Sequence, residues 1–510
     1  MNALLVAPVA LPLLVAAVLL LLRGRLDPRA GTVLAAACTA VVVALGAVLL
    51  ARALDGQVPV TQLGGWPAGI AVVLVADAFS ALLLVLTSAV VLLGLLYAFG
   101  TGEAGSEMFA PLVLVVSAGV SGVLLTGDLF NLFVFVEVVL VPSYVLLLLA
   151  RGARAVGPGR LYVTVNLLAS TVFLAGTGLV YGVAGTVQLG ELAGAAREDG
   201  ALALAAAPLL LAMAVKSAVV PLHTWLSPTY AAAGPAVVVL FSGLLTKVGL
   251  YVLFRLYAVL YDGDDRWLPV VLVLAVLTTV FGVLRAVGEH GARSVLLSHA
   301  VSQIGYVLVG LGLFTVAGLS AATFFLVQYV LVKAALFMVS GAVERRCGTD
   351  ELSQLGGLVR TQLPLAAAFA ASALALVGVP PTSGFVAKLQ LATAAAAAGA
   401  WWVLAAVVAV SFVTLVSMLK LWNGVFWGEP GPASGPAARP AEGAGGGAVA
   451  VAAPARPSAL QRAALVGPPL LLAATALVLG VAAGPLLSAS DAAARALVDT
   501  GAWVAAVTAP

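Results

Sequence analysis

Five lysines stand in apolar surroundings: Lys216 in AMAVKSAVV, Lys247 in SGLLTKVGLY, Lys333 in QYVLVKAALF, Lys388 in GFVAKLQLA and Lys420 in VSMLKLWNG. The nineteen arginines fall instead in loops or near the ends of apolar runs. This split has a chemical reading. A guanidinium keeps its proton under nearly all conditions, whereas a lysine withdrawn from water can release one. A site that must alternate between charged and neutral forms therefore needs lysine. Charges inside apolar runs are costly and mark ion or proton pathways. One acid belongs with them. Glu137, in GDLFNLFVFVEVVL, lies nine residues after Asp128, which is roughly 14 Å along a helix. A carboxylate at that depth calls for a cationic partner, and a buried lysine is the best candidate.

Two apolar runs are interrupted beside these groups. In LLLAMAVKSAVVPLHTWL, Pro221 follows Lys216 by five residues. In LALVGVPPTSGFVAKLQLA, Pro380, Pro381 and Gly384 precede Lys388. Irregular backbone at membrane depth must line protein or water, since lipid cannot satisfy it. A pair of broken helices in two halves predicts inverted repeats with the ion site beside the breaks. His223 and His299 are candidate relay groups, and packing against backbone is an equal reading for both. Lys420, near the end of its run, reads as a snorkelling side chain. Asp77 and Asp128 open their helices and read as caps or entry-side charges. His290 sits in a loop.

Positioning these groups falls to a polytopic helical membrane protein. Of 510 residues, 63% are hydrophobic and 9% charged, against about 25% charged in soluble domains. The mean hydropathy is +1.17. Continuous rather than alternating apolar runs favour helices over a β-barrel. The spacing predicts about fourteen transmembrane helices, near 2–22, 31–53, 72–99, 108–126, 129–150, 161–183, 201–226, 235–258, 268–287, 294–314, 318–343, 363–398, 401–427 and 464–487. The first run lacks a basic leader, and Arg23, Arg25 and Arg29 follow it, so it reads as a span rather than a signal peptide. The expected fold is thus all-α, with N-terminal helices in 1–107, a first five-helix inverted repeat in 108–258, a second in 259–427, a flexible Gly/Ala/Pro-rich loop at 428–463, and a last helix and tail in 464–510. With the N-terminus outside, arginines concentrate on the inner side, as the positive-inside rule requires. An even span number then puts both termini outside. The membrane is expected to be the cell membrane.

Composition also excludes classes. A net charge of +3 gives no footprint for nucleic acid, and two cysteines are too few for an iron–sulfur or cysteine-rich zinc site. No P-loop and no glycine-rich turn after a strand is present. No metal and no cofactor is expected.

The stretches GDLFNLFVFVE, VKSAVVPLHTWL, LFSGLLTKVGLY, SQIGYVLVG and GVPPTSGFVAKLQL resemble the proton-conducting antiporter-like membrane proteins. That superfamily holds the large subunits of Mrp-type Na⁺/H⁺ antiporters and the pumping subunits of respiratory complex I. The likeness covers helices 2 to 14, and GGWPAGIAVVLVADAFSALL is most similar to the Mrp D-subunit family. The resemblance implies a Glu137–Lys216 pair in a first half-channel. It makes Lys247 the connecting lysine, Lys333 a member of the central axis and Lys388 the terminal lysine of a second half-channel. It also implies partner membrane subunits, with protons and Na⁺ as the transported ions. Lys388 argues against one complex I subunit type, which usually carries glutamate there. Gln328-Tyr329 replaces a histidine often found one turn before Lys333, and WLSPTY stands where WLPDAH is usual. Two rival readings remain open: a redox-driven pump subunit, and a scaffold whose charges only set helix packing.

Overall fold

The computed structural model describes residues 2–64, 66, 71–149, 155–431 and 458–509. Most of the 428–463 loop, and with it Arg439 and Arg456, lies outside the described residues, as do Arg151 and Arg154. The chain is helical nearly throughout, because only helices satisfy backbone polar groups within one apolar segment. Helices α1 (Asn2–Leu21) and α2 (Pro28–Leu54) lead into strands β1 (Val60–Leu63) and β2 (Val72–Val75). Then follow α3 (Ala78–Thr101), α4 (Phe109–Leu125), α5 (Leu129–Leu149), α6 (Val156–Ala184), α7 (Ala195–Glu198), α8 (Gly200–Lys216) and α9 (Leu226–Ala232). The second half holds α10 (Pro235–Leu260), α11 (Leu268–Gly288), α12 (Ala292–Leu313), α13 (Val316–Cys347), α14 (Leu363–Val377), α15 (Ser383–Ala397) and α16 (Trp401–Trp422). The C-terminal helices are α17 (Ala459–Val481), α18 (Gly484–Val498) and α19 (Gly501–Thr508). Among the described residues, 11 helices are long and apolar enough to cross a membrane.

The layering explains where the polar groups can sit. The apolar windows of α10, α12 and α13 are 100% buried, whereas those of α1, α6 and α11 are 33% buried. The three enclosed helices carry Lys247, His299 and Lys333, so these groups are shielded from lipid on every side. Two local departures from the sequence reading have clear causes. The third helix starts at Ala78, not near 72, because β-branched Val72, Val73 and Val75 pair with β1 in an antiparallel ribbon. A capping box between Asp77 and Ser80 then sets the helix start. The tail beyond 481 is also helical and is tied down: Gln188 donates to the Val507 carbonyl at 3.0 Å and Gln62 to that of Ala509 at 2.6 Å.

Both expected interruptions are present. Helix α8 stops at Lys216 and the chain turns through a cis Val220–Pro221 bond before α9. The freed backbone groups find partners: the Trp225 indole donates to the Val215 carbonyl at 2.9 Å, and the Val220 N–H donates to Thr278 Oγ1 at 3.1 Å. The second break passes through Gly378, in the left-handed region at φ 91°, and a cis Pro380–Pro381 bond before α15. Here α15 packs directly on the end of α14. A Cβ on Gly384 would lie 1.6 Å from the Ala375 carbonyl oxygen. Gly384→Ala is therefore expected to destabilise the protein by about 3 kcal/mol or more. A detergent-purified complex carrying it would show a lowered Tm; an unchanged Tm would mean that the two half-helices can slide apart freely.

Candidate functional site

Lys216 ends α8 and is 4% exposed. Its ammonium donates to Ser170 Oγ at 2.9 Å and to the Asn166 carbonyl at 3.4 Å, both on α6. Glu137, on α5, lies within electrostatic reach of Lys216. Among the described residues it forms no ion pair within 4 Å, and its Oε1 is buried with no hydrogen-bond partner. A cavity of about 10 Å³ is lined by Val136 and Leu140 beside Glu137, by Tyr162 and Asn166, and by Lys216. That is room for about one water. Glu137 and Lys216 are thus electrostatic neighbours without a direct ion pair among the described residues.

The remaining lysines follow one another across the buried helices. Lys247 donates to the Ser242 carbonyl and to Thr246 Oγ1, and its Nζ lies 4.0 Å from the ring centre of Tyr329 on α13. One turn beyond Tyr329, Lys333 donates to the Leu296 carbonyl of α12 and interacts electrostatically with Lys247. His299 is three residues beyond Leu296. Its Nε2 bonds Ser417 Oγ at 2.6 Å, and its ring feels both Lys333 and Lys388. Lys388 donates across the second break to the last carbonyl of α14, that of Val377, at 2.8 Å, and stacks 5.0 Å from the ring centre of Tyr306. Lys247, Lys333, His299 and Lys388 therefore form a continuous electrostatic series. The amides of Gln303 and Gln328, with Ser298 and Ser340 Oγ and His299 Nδ1, are buried there without hydrogen-bond partners among the described residues. Buried polar atoms of this kind are usually served by ordered water.

The other candidates do different work. Lys420 donates to the carbonyls of Val287, at 2.8 Å, and Glu289. It thereby caps the C-terminal end of α11, a helix-end role in line with its position. His223 is 5% exposed and stands edge-on to Phe281 at 4.8 Å. Asp128 accepts from the Asn131 N–H at 2.7 Å and from its amide at 3.0 Å, holding the start of α5. Asp77 caps α3 and also pairs with Arg255 at 2.7 Å. Pro221 and Pro380–Pro381 mark the breaks, and Gly384 admits the contact between half-helices.

Sequence reading missed the buried arginines. Arg255 lies five residues inside the end of α10 and is 2% exposed. Arg293 is 4% exposed; it donates to the carbonyls of Ala231 and Ala233 at the end of α9 and pairs with Glu344. The acids that answer them, Asp77 and Glu344, are remote in sequence, so spacing carries no signal for the pairs. The contrast with the lysines is chemical. Each of these two buried arginines, permanently charged, has a carboxylate. Lys216, Lys247, Lys333 and Lys388 have only carbonyls, hydroxyls and aromatic faces within bonding range among the described residues.

Comparison with known proteins places the chain in a family. Residues 126–414 match the model of the "NADH:quinone oxidoreductase/Mrp antiporter, TM" family. The D subunit of a Na⁺/H⁺ antiporter of Alkalihalophilus pseudofirmus is 36% identical over 84% of this chain and 88% of its own. A chain in the structure of the Mrp complex from Dietzia sp. DQ12-45-1b is 44% identical, with a TM-score of 0.92 and full coverage of both chains. A chain of an archaeal membrane-bound sulfane sulfur reductase is 26% identical, with a TM-score of 0.85 over 99% of this chain and 100% of that one. The stretches that carry the buried lysines lie within the matched region, and on that match the chain belongs to the NADH:quinone oxidoreductase/Mrp antiporter transmembrane family, on the side of the Mrp D subunits.

Proposed function

We propose that this chain is the proton-translocating subunit of a multi-subunit Na⁺/H⁺ antiporter and works beside other membrane subunits of that complex. The observation that carries the reading is the pairing contrast. Two buried arginines are neutralised by acids, whereas four buried lysines bond neutral acceptors and can exist with or without the proton. In this reading a proton enters between Glu137 and Lys216, with a water in the small cavity beside Lys216. It then moves along Lys247, Lys333 and His299 to Lys388, whose charge state controls exit. Unpartnered Gln303 and Gln328 hold the waters that bridge the longer steps. Na⁺ takes another path in the complex, since it prefers oxygen ligands and this line is built from nitrogen. The same reading groups the spans as fourteen, arranged as inverted repeats over 108–258 and 259–427, with both termini outside.

The family also contains subunits of redox-driven pumps. The higher identity to antiporter subunits, 44% and 36% against 26% for the reductase chain, favours antiport here. The test is Na⁺/H⁺ exchange by the reconstituted complex carrying Glu137→Gln. Glutamine keeps the shape and removes the titrating group, so exchange is expected to fall on the order of 100-fold with assembly intact. Full exchange by an assembled variant would leave Glu137 a packing residue and overturn this part of the route. A complex that purifies with flavin or iron–sulfur subunits would favour the redox reading.

A further inference from the structure

The loop between α3 and α4 holds a group that the lysine route does not use. Glu103 lines a pocket of about 360 Å³ together with Thr101, Ser106, Phe109, Pro235 and Val237. The pocket lies on the arginine-rich face, where Glu107 of the same loop pairs with Arg23 at 2.9 Å and Arg345 donates to the Thr101 carbonyl. The two carboxylate oxygens of Glu103 are treated differently. Oε2 accepts from Thr101 Oγ1 at 2.7 Å and from the Ala236 N–H at 2.8 Å. The second contact fixes it to the first turn of α10, the helix that carries Lys247. Oε1 is out of solvent contact and, among the described residues, has no hydrogen-bond partner within 3.5 Å. A structural cap needs only Oε2. An acid that also buries an unpartnered oxygen beside a pocket is poised to take a proton there.

We propose that Glu103 is a proton exchange site at the arginine-rich mouth of the protein, where Oε1 accepts a proton from the interior and releases it to pocket water as hydronium. With the gradient reversed, hydronium returns the proton to Oε1 and leaves water behind. Opposing influences act on the carboxyl. Burial pushes its pKa up, while the Thr101 hydroxyl, the N–H groups of Ala236 and Val237, and Arg293 pull it down. Among the described residues, the other ionisable groups facing this corner are Tyr97 on α3 and Glu344 and Arg345 on α13. The site is thus loaded below its raised pKa and empties as pH at this face rises through that value. A Na⁺ site fits less well, because one free carboxylate oxygen supplies too few ligands for a bare cation.

This inference rests on the proposed proton transport, and the experiment separates the two. Reconstituted complex carrying Glu103→Gln keeps an oxygen for the Ala236 N–H but cannot exchange a proton. Antiport is expected to fall about tenfold or more in both directions. Its dependence on pH at the arginine-rich face should flatten, and Glu103→Asp should restore a pH-dependent limb. A second arm covers a variant that fails to assemble. Ser106→Cys is made in a background with the two free cysteines, Cys38 and Cys347, replaced by serine. The negatively charged reagent 2-sulfonatoethyl methanethiosulfonate, added at that face, should label the pocket and lower antiport relative to the unlabelled protein of the same variant. An assembled Glu103→Gln complex with an unaltered rate and pH profile overturns the proposal, as does full antiport after complete labelling. A profile that follows Na⁺ concentration instead of pH overturns it as well. If Lys216→Arg leaves antiport intact, the underlying transport reading fails; if Lys216→Arg abolishes antiport while both Glu103 arms are silent, only this site fails.

Discussion

A complex carrying Lys216→Arg is expected to assemble normally and to lose Na⁺/H⁺ exchange by roughly 100-fold. The substitution keeps the positive charge and a long aliphatic stem. What it removes is the ability to become neutral, because a guanidinium does not deprotonate under physiological conditions. The surroundings of Lys216 match a group that alternates. Its partners are the Ser170 hydroxyl and the Asn166 carbonyl, both neutral, and no carboxylate lies within 4 Å among the described residues. Glu137 acts on it through the electrostatic field, and a cavity of about 10 Å³ adjoins Lys216. A fixed cation there cannot release a proton and would block the cycle. Lys216→Ala removes the charge altogether and is expected to fail as well, by leaving Glu137 without its cation. Exchange in vesicles, measured with the assembled complex quantified, checks both. Wild-type exchange by Lys216→Arg would mean that charge alone, not proton release, is what this position supplies.

Much of this was legible in the sequence because membrane chains are read through cost. A lysine inside an apolar run stands out at once, and so does a proline pair beside one. Lys216, Lys247, Lys333 and Lys388, with both helix breaks, were visible for that reason. Contacts between distant elements were not. Nothing near Lys388 in sequence announces that it caps the α14 carbonyl of Val377, and nothing near His299 points to Ser417. The residues around 72 read as membrane helix because Val and Leu suit both a span and a strand; the pairing with β1 decided it. Helix ends gave the same difficulty for arginine. Arg255 lies close enough to the end of α10 to pass as an interface residue, yet the C-terminal Trp503 closes over it at 5.2 Å. Nothing near Glu103 in sequence marks its pocket, which is assembled from helices including α3, α4 and the distant α10.

Removing the acid from the buried arginine pair should have the opposite signature to the lysine variants. Asp77→Ala is expected to destabilise the protein by about 3–5 kcal/mol. Arg255 is enclosed by Phe79, Tyr251 and Trp503, with ring centres 5.9, 5.5 and 5.2 Å from its guanidinium carbon. Among the described residues its Nε and Nη1 have no hydrogen-bond partner, and Asp77 is the group that neutralises it. Taking Asp77 away leaves a permanent charge in an apolar enclosure and also removes the cap of α3, itself worth about 1 kcal/mol. Deleting both charges is different. A double variant, Asp77→Leu with Arg255→Met, replaces the pair by apolar groups and should recover most of the loss, since a buried ion pair contributes little net stability over well-packed hydrophobes. Thermal unfolding of the purified complex checks the single and double variants, and a strongly positive coupling between the two positions is the expected result. If the double variant is as stable as the wild type but inactive in exchange, the pair belongs to the ion route. If the double variant recovers both stability and exchange, arginine here serves the fold and the unpaired lysines alone carry the proton.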